Sequence, residues 1–352
     1  MRAPFLTSRR EVPIHGENAS SQADYRSLGS PLIRVQRSVQ KLDIQIDPRK
    51  GLGPIALELN ESLLKGGKKL RPTLVFLMAE VFGLPHSDVF TAGRAIELTH
   101  AASLAHDDVI DGSIERRGAP TLHRVVGENR AILGGDLLLA QVMEELLAEK
   151  QYSIALPLAR AIRDLSRGEW LETAARFDIT LTRARLEEIH RLKTGSLTRW
   201  ATEVAPRQFG LPDSLVEKVG NFGESIGVAF QWMDDLLDFE EGTGKPYAQD
   251  LREGVINSVT LEVIEDPVLR KRLQRFFAGE LGTDPRGVYP EDLVIRAKER
   301  VRWQAQARLG EAFEILRKVC RDAEKLGCTI HWDFLDGADF KSVMDSVIQR
   351  SR

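Results

Sequence analysis

Cysteine is nearly missing from this chain of 352 residues: only Cys320 and Cys328 occur. Two thiols make no disulfide framework, and their spacing makes no four-ligand zinc site, so a reducing, cytoplasmic location is expected. A basic excess is missing too. The formal net charge of −3 leaves no surplus to neutralise a nucleic-acid backbone, although a local basic pocket for a small phosphorylated ligand stays open. No apolar run reaches the roughly 18–20 residues that cross a bilayer; the stretch from Thr73 to Leu84 is broken by Glu80. Arg9 and Arg10 are followed by no apolar core, which argues against a secretory signal, and Glu11, Glu17 and Asp24 weaken a transit-peptide reading. Strand signals are scarce: alternation, β-branched runs and Asn-Gly turns are nearly absent, and no solenoid-like repeat occurs.

What the chain does have is helical periodicity. Residues 1–30 mix Pro, Gly, Ser and charge without it and are expected to form a mobile tail. Residues 31–352 carry it almost throughout. Phe90, Ala92, Ala95, Ile96, Thr99, Ala102 and Ser103 recur at spacings of three and four, as do Ile132, Leu133, Leu137, Ala140, Val142 and Leu146. Segments 215–239 and 291–326 repeat the habit. The breaks at Gly83-Leu84-Pro85 and Gly210-Leu211-Pro212 are short, which predicts an all-α chain folded as one large helical bundle.

Two segments carry chemistry. Asp107-Asp108-Val109-Ile110-Asp111 and Asp234-Asp235-Leu236-Leu237-Asp238 are both DDxxD. On a helix, positions i and i+4 share a face, so Asp107 projects with Asp111 and Asp234 with Asp238. Like charges at that spacing destabilise a helix unless cations intervene, and Mg²⁺ typically takes one or two carboxylates together with substrate phosphates. Carboxylates alone do not hold a diphosphate, but basic segments accompany them: Gly66-Gly67-Lys68-Lys69-Leu70-Arg71-Pro72, Arg116-Arg117-Gly118 and Lys193-Thr194-Gly195. Each alone reads as a solvated turn; together they offer guanidinium and ammonium partners for two diphosphates.

GGKKLRP, HAASLAHDDVIDGSIERRGAPTLH, GGDLLLA, KTGSL and FQWMDDLLDFEEGTGK stand in an order and spacing that resembles the trans-isoprenyl (polyprenyl) diphosphate synthase family, over roughly residues 35–345. The resemblance implies the isoprenoid synthase fold, a helical bundle around a deep central cavity, usually as a homodimer. It implies a prenyltransferase that condenses isopentenyl diphosphate with an allylic diphosphate, using two or three Mg²⁺ held by Asp107, Asp108, Asp111, Asp234, Asp235 and Asp238. Lys68, Arg71, His100 and Arg117 match its isopentenyl diphosphate contacts; Arg116, Lys193, Thr194, Gln231 and Lys245 match positions on the allylic side. Arg116 and Lys193 count among the catalytic residues on this reading. One departure stands out: many relatives carry a lysine in a DLxxGKxT segment, where this chain has Val255, leaving Lys245 or Arg252 to compensate.

A growing tail advances about one isoprene unit per helical turn, since a turn rises about 5.4 Å. One turn before Asp107 stand Ala102 and Ser103, then Thr99, Ala95 and Ala92. This small lining predicts a long product, C35 to C50, suited to a quinone side chain; Met143 and Leu147 are candidate floor residues. The alternatives are a geranylgeranyl or farnesyl diphosphate synthase, a class I terpene cyclase, a His-Asp phosphohydrolase built on His106-Asp107, and a non-catalytic synthase subunit. The second DDxxD and GGKKLRP argue against the cyclase, and complete aspartate clusters argue against the inactive subunit.

Overall fold

The structure, a computed structural model, describes residues 30–47, 53–116, 118–241 and 246–348. The expected tail lies outside these residues except for Ser30, whose hydroxyl accepts the Ile33 amide and caps the first helix. The all-α expectation holds. Helices α1 (Pro31–Lys41) and α2 (Gly53–Leu59), the latter running into a π turn over Asn60–Leu64, lead to α3 (Leu70–Val81) and α4 (Phe90–Ile110). Then come α5 (Leu122–Val126), α6 (Glu128–Ala148), α7 (Tyr152–Ala174) and α8 (Arg183–His190), which passes through a second π turn (Arg191–Gly195) into α9 (Ser196–Phe209). Helix α10 (Asp213–Asp238) precedes the shorter α11 (Gln249–Arg252), α12 (Ser258–Val263) and α13 (Pro267–Phe277); α14 (Glu291–Glu324), α15 (Trp332–Leu335) and α16 (Ala338–Ile348) follow. The only strands among the described residues, which the sequence did not announce, are β1 (Glu115–Arg116) and β2 (Ala119–Pro120), paired antiparallel.

Both Gly-Leu-Pro breaks end a helix in the same way. Gly83 (φ 63°) and Gly210 (φ 84°) adopt the left-handed conformation, and the following amide reaches back, Leu84 to the Ala79 carbonyl at 2.9 Å and Leu211 to Pro206 at 3.0 Å. A glycine takes that conformation without the Cβ penalty, and the proline beyond cannot continue the helix.

Helix α9 is the hub. From Ser196 to Pro206 every residue but Arg199 is buried, because the helix is surrounded by α3, α4, α7 and α10. Two of its polar side chains bond its neighbours: the Thr202 hydroxyl donates to the Val219 carbonyl of α10 at 3.1 Å, and the Trp200 indole to Ile154 of α7 at 2.9 Å. The α9–α10 approach depends on small residues on α10, since a Cβ at Gly223 would lie 2.9 Å from the Thr202 methyl and one at Gly227 2.8 Å from the Gly195 Cα. Outside this pair, α4 packs on α3 and α6, α14 on α10, and α16 on α10, α14 and α1. The Arg34 guanidinium grips the fully buried Glu80 carboxylate through two 2.7 Å hydrogen bonds and fixes α1 against α3.

Candidate active site

Both aspartate segments close a helix. Asp107 and Asp108 lie in the last turn of α4 and Asp111 caps it; Asp234, Asp235 and Asp238 occupy the last two turns of α10. A helix C-terminus already carries the negative end of the macrodipole, so six carboxylates there make two concentrations of negative potential. Asp107 and Asp234 look into one cavity of about 1160 Å³ that also touches Lys68, Arg71, His100 and Arg116. That volume exceeds the usual range of about 300–1,000 Å³ for small-ligand sites. Asp111 and Asp235 line a smaller cavity of about 130 Å³, and Lys193 and Gln231 border both.

The second π turn delivers Lys193 and Thr194. A π turn inserts one residue into a helix and is frequent at functional sites; here it packs on α7 at Gly168, where a Cβ would sit 2.9 Å from the Leu192 carbonyl carbon. The Lys193 ammonium pairs with Glu169 at 2.9 Å and with Glu172. Burial disfavours its charge, yet Glu172, Glu169 and Asp107 together push its pKa up. The Thr194 hydroxyl donates to Gln231 Oε1 at 2.8 Å, and the Gln231 amide donates to Asp235 at 3.1 Å. Four predicted site residues thus form one continuous polar wall.

The middle aspartates behave differently from the outer ones. Asp108 is fully buried, and both its oxygens accept from Arg116, the shortest contact being 2.6 Å. Asp235 is nearly as buried and accepts the Ser258 amide at 2.9 Å. Both tie down their surroundings, Asp108 by holding the Arg116 guanidinium and Asp235 by accepting the Ser258 amide. The reason is helical geometry: position i+1 points about 100° away from the face shared by i and i+4. Asp238 accepts the Asp250 amide at 3.3 Å. Asp107 feels burial first, then Glu169, Asp111 and Glu172, against the relief from Lys193, and its pKa is pushed up to about 7.

Several residues here carried no signal in the sequence. Glu169 and Glu172 stand three apart on α7, a common pattern on solvated helices. Arg176 donates to Asp111 at 2.6 Å. Asp250 is half-buried, accepts from Asn257 at 2.8 Å, and has its pKa raised by desolvation and by Asp238 and Asp235. Other expectations fare unevenly. Arg117 and Lys245 lie outside the described residues. Arg252 donates to the Thr283 carbonyl at 3.2 Å and borders neither cavity. Ser103 lines the large cavity, whereas Ala102 is buried in the core and Met143 packs against it; neither is on that wall, and Leu147 is half exposed.

The donors available to a cation are hard carboxylate oxygens, the set Mg²⁺ prefers. Among the described residues no three His, Cys, Asp or Glu side chains converge as a ready-made cage. Burial first, and then the negative charge of Glu169, Asp111 and Glu172, raises the Asp107 pKa, and a cation beside it relieves the second of these.

The sequence pattern of the family described as Polyprenyl synthetase matches residues 54–284. Solanesyl diphosphate synthase 2, chloroplastic, of Arabidopsis thaliana is 34% identical over 237 residues, 64% of this chain and 56% of the relative. A prenyl transferase of Synechocystis sp. is 34% identical over 264 residues, 72% of this chain and 81% of its own. The chain thus spans little more than half the length of the first of these. A crystal structure of polyprenyl synthase from Caulobacter crescentus, complexed with calcium and isoprenyl diphosphate, superposes with a TM-score of 0.68 at 26% identity, covering 93% of this chain and 100% of that one.

Proposed function

The chain belongs to the polyprenyl synthetase family, and from that premise we propose that it condenses isopentenyl diphosphate with an allylic diphosphate to give an all-trans polyprenyl diphosphate of C35 to C50, a quinone side-chain precursor. The observation that carries the reading is the large cavity, which brings Asp107 and Asp234 together with Lys68, Arg71, His100 and Lys193. Relatives named solanesyl diphosphate synthase support the long product.

Mg²⁺, when bound, supplies the charge that carries a departing diphosphate. Asp107 and Asp111 from α4 and Asp234 and Asp238 from α10 are the residues that would hold two or three such ions. Lys193, kept cationic by its carboxylate neighbours, and the Thr194–Gln231 pair bind the allylic diphosphate. Lys68 and Arg71 hold isopentenyl diphosphate, with His100 beside them. Arg116 is oriented toward the cavity by its buried partner Asp108. Leu104, Leu165 and Phe230 are among the apolar residues of the wall and keep water from the allylic cation. The allylic C–O bond breaks, the isopentenyl double bond supplies the electron pair for the new C–C bond, and the proton lost from isopentenyl C2 leaves with the released pyrophosphate.

Residues 31–352 are read as one catalytic unit, working as a homodimer in the cytoplasm. Ile132, Leu133, Leu147, Tyr152 and Leu156 on α6 and α7 are exposed apolar side chains, which supports a partner there. The free, buried Cys320 and Cys328 suit a reducing compartment, and among the described residues no helix is long and apolar enough to cross a membrane.

The test incubates the full chain with Mg²⁺, farnesyl diphosphate and labelled isopentenyl diphosphate, and resolves the dephosphorylated products. A ladder ending at C35 to C50 supports the whole reading. A stop at C20 keeps the reaction and removes the long product. No incorporation with any allylic primer sinks the proposal.

A further inference from the structure

We propose that Arg176 is a diphosphate-binding residue of this site, the cation that takes up the role left vacant at Val255. The proposal rests on the reading of the two cavities as a prenyl-transfer site. Arg176 lies just beyond the end of α7, with its side chain and that of Val255 on the wall of the same small cavity, beside Asp111, Lys193 and Gln231. A specific backbone link sets this arrangement. The Phe177 amide donates to the Gly254 carbonyl at 2.7 Å, so the neighbours on either side of that bond, Arg176 and Val255, are brought to one place from positions far apart in sequence.

The link is conformationally demanding. Phe177 has φ 63° and Gly254 φ 79°, and left-handed backbone at a bulky residue persists only where its surroundings enforce it, typically at a functional site. Enforcement is visible: a Cβ at Gly254 would crowd the Phe177 ring, and that ring packs edge-on against Phe277 with centroids 5.2 Å apart. The guanidinium is under-used as it stands. A single terminal nitrogen bonds Asp111 at 2.6 Å, while the buried Nε has no hydrogen-bond partner, although guanidinium offers five donors in a fixed fork. An acceptor with several oxygens, such as a diphosphate, would use the remainder. Arg116 is held by a fully buried carboxylate, and Lys193, which also serves two glutamates, is the one other lysine or arginine among the described residues on the wall of this small cavity. Arg252 is turned to the Thr283 carbonyl.

Arg176→Gln in the full chain tests this. Losing charge-assisted hydrogen bonds is expected to raise KM for farnesyl diphosphate about 10- to 100-fold, with KM for isopentenyl diphosphate and the melting temperature unchanged. Calorimetric titration with inorganic pyrophosphate and Mg²⁺ should show the same loss without turnover. Val255→Lys placed in the Arg176→Gln background should recover affinity, because both positions face one cavity, and Arg176→Lys should retain most of it. An unchanged KM for farnesyl diphosphate, a rise shared equally by both substrates, or failure of Val255→Lys to restore pyrophosphate binding overturns the proposal. A wild-type chain that binds pyrophosphate yet incorporates no isopentenyl unit overturns the proposed reaction instead, and the pyrophosphate titrations of the variants still decide the role of Arg176.

Discussion

Gly168→Ala separates positioning from stability in this site. Gly168 lies on α7 where the π turn crosses it, and a Cβ added there would be 2.9 Å from the Leu192 carbonyl carbon and closer still to the Lys193 nitrogen. Ordinary contact begins at 3.4 Å, so the shortfall is half an ångström or more. Both obstructing atoms are backbone, which means no side chain can rotate out of the way. The π turn must move, taking Lys193 and Thr194 with it. Alanine gains about 0.5–1 kcal/mol over glycine inside a helix, against about 1–3 kcal/mol for overpacking. The net loss is about 2.5 kcal/mol at most, and a chain of this length loses only about 2 °C per kcal/mol. Misplacing a catalytic group by about 1 Å costs about 100-fold in rate, so a shift of this size should lower kcat/KM for the allylic substrate about 10- to 100-fold. Gly310→Ala is the control, since a Cβ there meets nothing within 4 Å, and it should raise the melting temperature slightly with activity unchanged. Calorimetric melting and labelled isopentenyl incorporation measure the two effects. A folded Gly168→Ala chain within threefold of wild-type kcat/KM would refute the reasoning.

Ser103→Phe should shorten the product ladder, because Ser103 lines the large cavity one turn before Asp107; an unchanged ladder takes Ser103 off the path of the tail. Met143→Ala, expected from the sequence to lengthen products, tests whether the tail runs along α6, and an unchanged ladder removes Met143 from the floor. Asp108→Ala strands the Arg116 guanidinium and should cost about 1–3 kcal/mol in denaturant unfolding; an undiminished midpoint would contradict the buried pair. Asp107 has a folded pKa of about 7 against an ordinary 3.8. The folded chain therefore holds the extra proton between those values, and its stability in chelator should fall as pH rises from about 4 to about 7. Asp107→Asn should flatten that part of the melting-temperature profile, and an unaltered slope would assign it to other groups.

The long helices were legible because their apolar positions keep a constant 3.6-residue phase. The segment 90–111 was found at Phe90–Ile110, and 291–326 at Glu291–Glu324. The π turn at Arg191–Gly195 was not, because one inserted residue shifts the phase without leaving a breaker in the sequence. The aspartate clusters were legible as clusters. That Asp108 and Asp235 turn inward follows from the same helical geometry that aligned Asp107 with Asp111, but their partners, Arg116 beyond α4 and Ser258 on α12, depend on tertiary packing. Arg176 was out of reach altogether, since its bond to Asp111 spans 65 residues and rests on a left-handed Phe177 that no propensity predicts.

The ion pairs of the site divide into two kinds, and the division bears on how a substrate is received. Asp108 is fully buried and Arg116 has no other acceptor among its hydrogen bonds, so that pair is a fixture that aims one cation at the cavity. Asp111 and Arg176 are each about a quarter exposed, and Lys193 with Glu172 is about a fifth exposed. Water reaches these pairs, so exchanging partners does not require burying a bare charge, the step that makes dry pairs permanent. On the proposed function, the carboxylates Asp111 and Asp107 would hold cations arriving with the diphosphate, and Arg176 and Lys193 would bind its oxygens. Asp111 and Arg176 then each keep an opposite partner before and after binding. The site can hold its excess of carboxylates without substrate only because these cations neutralise them in the interval, which is why Glu169, Glu172 and Arg176 belong to the site as much as the aspartates that announce it.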